Sequence, residues 1–172
     1  ASLVGSEMCI RDRYLTSVSG NNVLTMDNLV DILKLHNDCL QIDGVQGVLS
    51  VADFFDSALI DSGLSLNSVS TAEEPWELVY DSISTTGSGN YSWNEVDFVG
   101  DVLINKDLNL DPLIIVESEN SIRKAPIANS TIIMVNLDPD LSTEQKKEAG
   151  QKLRTLTAVS YTHLTLPTNG TV

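Results

Sequence analysis

The feature that most constrains this chain is a pair of junctions, one running from helix to strand and the other from strand to helix. In the first, Leu29, Ile32, Leu33, His36, Cys39 and Leu40 recur at three- and four-residue steps, which predicts an amphipathic helix. Thr25 stands where an N-cap belongs, and Asp27 in the first turn suits the positive end of the helix dipole. The helix is expected to stop near Asp43-Gly44, where glycine can take the left-handed cap, and a short buried strand is expected over Gly47–Val51. In the second junction, Ser130–Leu137 (STIIMVNL) is dense in β-branched residues and is the strongest strand in the chain. Asp138-Pro139-Asp140 breaks that strand. Ser142 followed three residues later by Gln145 then opens a last helix with a capping box, Ala149, Leu153 and Leu156 being its apolar positions.

Between the junctions the pattern breaks into short pieces. Ser50 or Asp53 is placed to cap a second helix through Phe54, Phe55, Ala58 and Leu59, ending near Gly63. Residues 64–72 are rich in Ser, Asn and Thr and read as loop. Glu73-Glu74-Pro75 opens another helix with Trp76, Val79, Tyr80 and Ile83 inward. Thr85–Asn90 (TTGSGN) reads as a flexible loop. A further helix is expected from Ser92 or Asn94, with Val96, Val99 and Leu103 inward, and Leu113–Val116 reads as either strand or helix end. Tyr14–Ser19 alternates like the tail of a strand and runs into a turn at Gly20-Asn21-Asn22. In order the elements are strand, helix, strand, several short helices, strand, helix. The expected fold is therefore α+β: a split β-α-β arrangement that lacks its last strand and carries a helical insertion in the middle.

Composition narrows the function classes. The chain has 172 residues and a formal charge of −14, from 10 Lys+Arg against 24 Asp+Glu. That balance disfavours phosphate-rich partners, so no nucleic acid is expected, and it equally disfavours an anionic lipid surface. At 42% hydrophobic residues the chain has enough apolar material for a core. No apolar run approaches the roughly 20 residues of a membrane span. Two Cys and two His, far apart in sequence, do not make a dedicated zinc site.

Both ends resemble something other than protein-coding sequence. The run SLVGSEMCIRDR at 2–13 is similar to the translation of a transposon-insertion sequencing adapter. The run VSYTHLTLPT at 159–168 is similar to the opposite adapter read in reverse complement. Residues 1–13 and 158–172 are accordingly expected to be adapter-derived, and 14–157 to be a fragment cut from a longer metagenomic gene. Removing Glu7, Arg11, Asp12 and Arg13 leaves the charge at −14. Cys9 and His163 drop out, leaving Cys39 and His36. The Thr/Tyr/Leu alternation at 160–166 makes a passable strand, free to enter the gap left by the missing one.

Several constellations invite a chemical reading. His36 and Cys39 lie three apart on the first helix, the spacing of half a metal site or a nucleophile and its base, but no third orienting group accompanies them, and packing is the favoured role. Asp138, Asp140 and Glu144 resemble part of a calcium loop, yet Pro139 interrupts the frame and no central Gly is present, so strand exit and helix cap are expected. Asp53 with Asp56, or Asp97 with Asp101, are acid pairs of the kind that so acidic a chain produces by chance. Trp76, Tyr80, Tyr91 and Trp93 gather around the TTGSGN loop. They either contact an apolar ligand or partner or anchor short helices, the second being favoured. The triplets at Asn90 and Asn129 match glycosylation acceptors without further support. No catalytic, cofactor or metal residue is assigned.

Three stretches together resemble the extracytoplasmic domain of RND-superfamily exporters, in particular the MMPL-like or hydrophobe-exporter branch. They are Asn22-Val-Leu-Thr25 with the acidic helix start, Asp43-Gly-Val-Gln-Gly-Val-Leu-Ser-Val-Ala-Asp53, and Ser130 through Glu144. The resemblance frames 14–157 but is carried by 22–53 and 130–156; residues 54–129 match nothing sharply. It implies a ferredoxin-like porter domain, truncated here, on the outer face of an integral cell-membrane protein. Such a domain supplies substrate path and inter-domain contacts without covalent chemistry or cofactor. The implied partners are the transporter's own membrane helices, which hold the ion-coupling acids, a lipid-like or hydrophobic substrate, and further copies in a homo-oligomer. The alternative is a stand-alone extracytoplasmic binding or interaction domain, also non-catalytic.

Overall fold

A computed structural model describes residues 10–17, 22–85, 130–158 and 164–165. Within them the chain is α+β, with helices packed on an antiparallel sheet. The elements are β1 (Ile10–Ser17), α1 (Met26–Leu40), β2 (Val45–Leu49), α2 (Val51–Ile60), α3 (Leu66–Val69), α4 (Pro75–Thr85), β3 (Ser130–Leu137), α5 (Thr143–Ala158) and β4 (Leu164–Thr165). The expected helix from Ser92 or Asn94, the Leu113–Val116 segment and the TTGSGN loop beyond Thr85 lie outside the described residues.

The sheet has the order β2-β3-β1-β4, and each neighbouring pair is antiparallel. β1 and β3 form its centre, in register from Ile10 opposite Asn136 to Thr16 opposite Ser130. β1 thus starts four residues before Tyr14 and crosses the boundary expected between adapter-derived and native sequence. β4, two residues from the C-terminal segment, pairs Thr165 with Thr16 and Leu164 with Ser17. Backbone groups on an open sheet edge accept any extended segment, so pairing there does not depend on side chains evolved for the purpose.

α1 begins where the sequence predicts. The Thr25 side chain accepts the Asn28 N–H, and the buried stripe includes Leu29, Ile32, Leu33, Leu35, His36 and Cys39. Its end comes earlier than expected, at Leu40, with Gln41 as C-cap. Three residues of turn then lead to Gly44, whose φ of +89° is left-handed. β2 starts at Val45 rather than Gly47, because Val45 pairs with Leu137 across a bulge before Gly47 resumes opposite Asn136. It also ends at Leu49, two residues before the predicted limit, since Ser50 becomes the N-cap of α2 by accepting the Asp53 N–H.

Residues 64–72, expected as loop, contain the single-turn helix α3. Ser65 and Ser68 form a reciprocal cap, Asp56 Oδ1 accepts the Leu66 N–H at 2.8 Å, and Leu66 and Val69 are buried. Two apolar residues three apart make one turn inward, too little periodicity to read from sequence. α5 opens with the predicted capping box: the Ser142 N–H reaches Gln145 Oε1 at 2.9 Å, and the Gln145 N–H reaches Ser142 Oγ at 3.2 Å.

The core lies between the helices and one face of the sheet. Ile133, Val135 and Leu137 of β3 and Val48 of β2 join Leu29, Ile32 and Leu35 of α1, Phe55 and Leu59 of α2, Val79 of α4, and Ala149 and Leu153 of α5. Alternation along β3 is strict: Thr131, Ile133, Val135 and Leu137 are buried, while Ile132, Met134 and Asn136 on the opposite face are half-buried.

Candidate functional site

The helix-to-strand and strand-to-helix junctions meet in space. β2 and β3 are paired, and where β3 exits, the Asp138 N–H donates to the Gly44 carbonyl at 2.9 Å. Asp138 Oδ1 accepts the Asp140 N–H, so the Asp-Pro-Asp segment turns on its own carboxylate. Leu141 then lies directly over Gly44, and a Cβ added there would come within 2.6 Å of Leu141 Cδ1. Asp138, Asp140 and the Ser142–Gln145 box thus act as strand exit and helix cap, as the sequence reading favoured. Beside this contact a groove of about 200 Å3 is lined by Asp43, Leu141, Gln145, Glu148 and Lys152, among others. The Lys152 ammonium spans it, 3.8 Å from Asp43 and 3.5 Å from Glu148. Solvent screens these ion pairs, so they stabilise little.

Of the four aromatics singled out from sequence, Trp76 and Tyr80 are described. They are 9% and 3% exposed on the inner face of α4. The Trp76 ring meets Phe55 of α2 edge-on at 5.5 Å and Tyr80 at 5.9 Å, while Phe54 and Phe55 stand edge-to-face at 5.4 Å. Such geometries suit the ring quadrupoles and fasten α4 to α2. Both rings are buried, and Trp76 is the one whose ring contact with Phe55 joins α4 to α2. Tyr91 and Trp93 lie outside the described residues, as do Asp97 and Asp101.

His36 and Cys39 are both buried on the inner face of α1. Cys39 is buried in the core. The His36 ring crosses to α2, with Nδ1 3.0 Å from Ser50 Oγ and Nε2 3.7 Å from Asp53 Oδ1. Burial pushes the imidazole pKa below 6.5, and the Asp53 charge partly opposes that shift. Ser50 Oγ is itself buried and occupied by the α2 cap. Asp53 and Asp56, read from sequence as a chance pair, have separate partners: Asp53 stands against His36, and Asp56 holds the start of α3. The His36–Ser50–Asp53 cluster was not visible in the sequence. Its only trace was a histidine on an apolar stripe followed by a serine at a helix start.

Among the described residues, no group of three or more His, Cys, Asp or Glu side chains is placed to hold a metal ion. Among the same residues, no helix is long and apolar enough to cross a membrane. Comparison with family models, curated proteins and solved structures finds no match to this chain.

Proposed function

We propose that the chain is part of the extracytoplasmic porter domain of an RND-superfamily exporter of the MMPL-like or hydrophobe-exporter branch, built on a ferredoxin-like split β-α-β core. The observation that carries this reading is the meeting of the two motif-bearing junctions at Gly44, Asp138 and Leu141. Stretches that resemble the family separately, some ninety residues apart in sequence, form one structural unit. The strand order β2-β3-β1-β4, with a helix after β1 and another after β3, supports the split β-α-β description. In this reading the domain performs no covalent step. It provides surfaces along which a hydrophobic substrate passes and through which neighbouring domains move. Ion coupling belongs to membrane helices elsewhere in the parent protein.

The test is to express the complete parent gene with an epitope inserted at Asn67, an exposed position on α3. The reading expects the protein in the membrane fraction, with the epitope open to protease added from outside the cell and shielded in inverted vesicles. Release of a processed soluble product from the cell overturns it in favour of a stand-alone extracytoplasmic domain.

A further inference from the structure

α1 and α2 are joined at a buried polar point. His36 is 4% exposed and Ser50 2% exposed, and the surrounding α1 face is formed by Ile32, Leu33, Leu35 and Cys39. Ser50 Oγ has two tasks. It accepts the Asp53 N–H at 3.2 Å, which caps α2, and it lies 3.0 Å from His36 Nδ1. The cap uses one of the hydroxyl's two lone pairs. The Asp53 carboxylate on the Nε2 side favours the ring proton there, which makes Nδ1 the acceptor and the Ser50 hydroxyl the donor.

A second proton on the ring must go to Nδ1, turning it from acceptor into donor. Ser50 Oγ must then accept from both the Asp53 N–H and the new Nδ1–H through its two lone pairs, so the cap shares its acceptor, and the hydroxyl's own proton loses its buried acceptor. The new cation also lies at the first turn of α2, the positive end of that helix. We propose that the His36–Ser50–Asp53 junction is an acid-sensitive joint, in which protonation of His36 weakens the Ser50 cap and loosens the start of α2 from α1.

Asp53 is the charged group of α2 that faces the ring; at 3.7 Å, with its side chain 46% exposed, it offsets the added charge only in part. On α1 itself, Cys39, three residues on, is also buried, and Asp38 is two residues on, round the helix. Burial holds the folded pKa below the ordinary 6.5 against the pull of Asp53, which sets the sign. The joint is fully formed above about pH 6.5 and is lost as pH falls below that value through the folded pKa. Each unit of depression corresponds to about a tenfold fall in the folded-to-unfolded ratio at acid pH.

The experiment uses the whole 172-residue chain. NMR follows the His36 ring and the Asp53 amide from pH 8 to pH 5, with His163→Asn assigning the second histidine. Thermal melts at pH 7.5 and 5.5 compare the wild type with His36→Asn, whose amide occupies the Nδ1 position and does not titrate. The proposal expects a His36 midpoint below 6.5, an Asp53 amide signal moving with the same midpoint, and a larger acid loss of melting temperature in the wild type than in His36→Asn. A midpoint at or above 6.5, an Asp53 amide indifferent to His36, or equal acid losses in both proteins overturns it. Should His36→Asn not fold, the wild-type NMR titration alone decides between these outcomes.

Discussion

Replacing Gly44 by Ala tests the contact that joins the two halves of the structure. Gly44 has a φ of +89°, where an L-residue with a Cβ is strained by about 1–2 kcal/mol. The new methyl would also stand 2.6 Å from Leu141 Cδ1. That atom ends a flexible, half-buried side chain, so the strand need not move, but Leu141 must leave its position over the turn. Displacing it adds about 1 kcal/mol, at the low end of overpacking costs. The total is about 2–3 kcal/mol, or roughly 5–10 °C in melting temperature for a chain of this size. Gly63 provides the internal control. Its φ is +74°, yet nothing lies within 4 Å of the position a Cβ would take, so Gly63→Ala carries the backbone cost alone. Urea unfolding followed by tryptophan fluorescence measures all the variants. Gly44→Ala should cost about 1 kcal/mol more than Gly63→Ala, and a double-mutant cycle with Leu141→Ala should recover that excess as a coupling energy. Equal costs at the two glycines, or a coupling of zero, would refute the claim that Leu141 is seated on Gly44.

Other perturbations address separate parts of the fold. Ser142→Ala removes one half of the α5 capping box and should cost about 1 kcal/mol by chemical denaturation, while Ser142→Gly should cost only a few tenths. Phe55→Ala empties the centre of the α2–α4 contact, where the ring is buried against Trp76; a loss of about 3–5 kcal/mol is expected, together with a red-shifted Trp76 emission. Lys152→Ala breaks both ion pairs across the groove, and its effect on urea stability should stay within about 0.5 kcal/mol and vanish in high salt.

The parts of the fold that were legible in the sequence are those whose signals are local. Thr25 and the apolar stripe after it announce α1, while Ser130–Leu137, Asp138-Pro139-Asp140 and the Ser142–Gln145 pair announce β3 and α5, because capping and periodicity act within one turn or one strand. Boundaries failed where a distant partner decided them. Val45 belongs to β2 because Leu137 pairs with it across a bulge; at the other end the cause is local, the Ser50 cap drawing Val51 into α2. α3 is silent in the sequence because its two inward residues make only one turn. The His36–Ser50–Asp53 cluster depends on how α1 packs on α2, and no spacing rule brings residues 36 and 50 together. The aromatic group was half legible: the inward stripe of α4 was read correctly at Trp76 and Tyr80, but their partner Phe55 comes from another helix.

The most direct test of the central claim is to sequence the source gene across both boundaries of residues 14–157. The runs at 2–13 and 159–168 are expected to be missing from the intact gene. An apolar stretch of about 20 residues is expected shortly before Tyr14, and another soon after a native strand replaces β4 beside β1. A stop codon or a soluble catalytic domain following Thr157, or the same terminal runs continuing in the genome of a cultured organism, would contradict that claim.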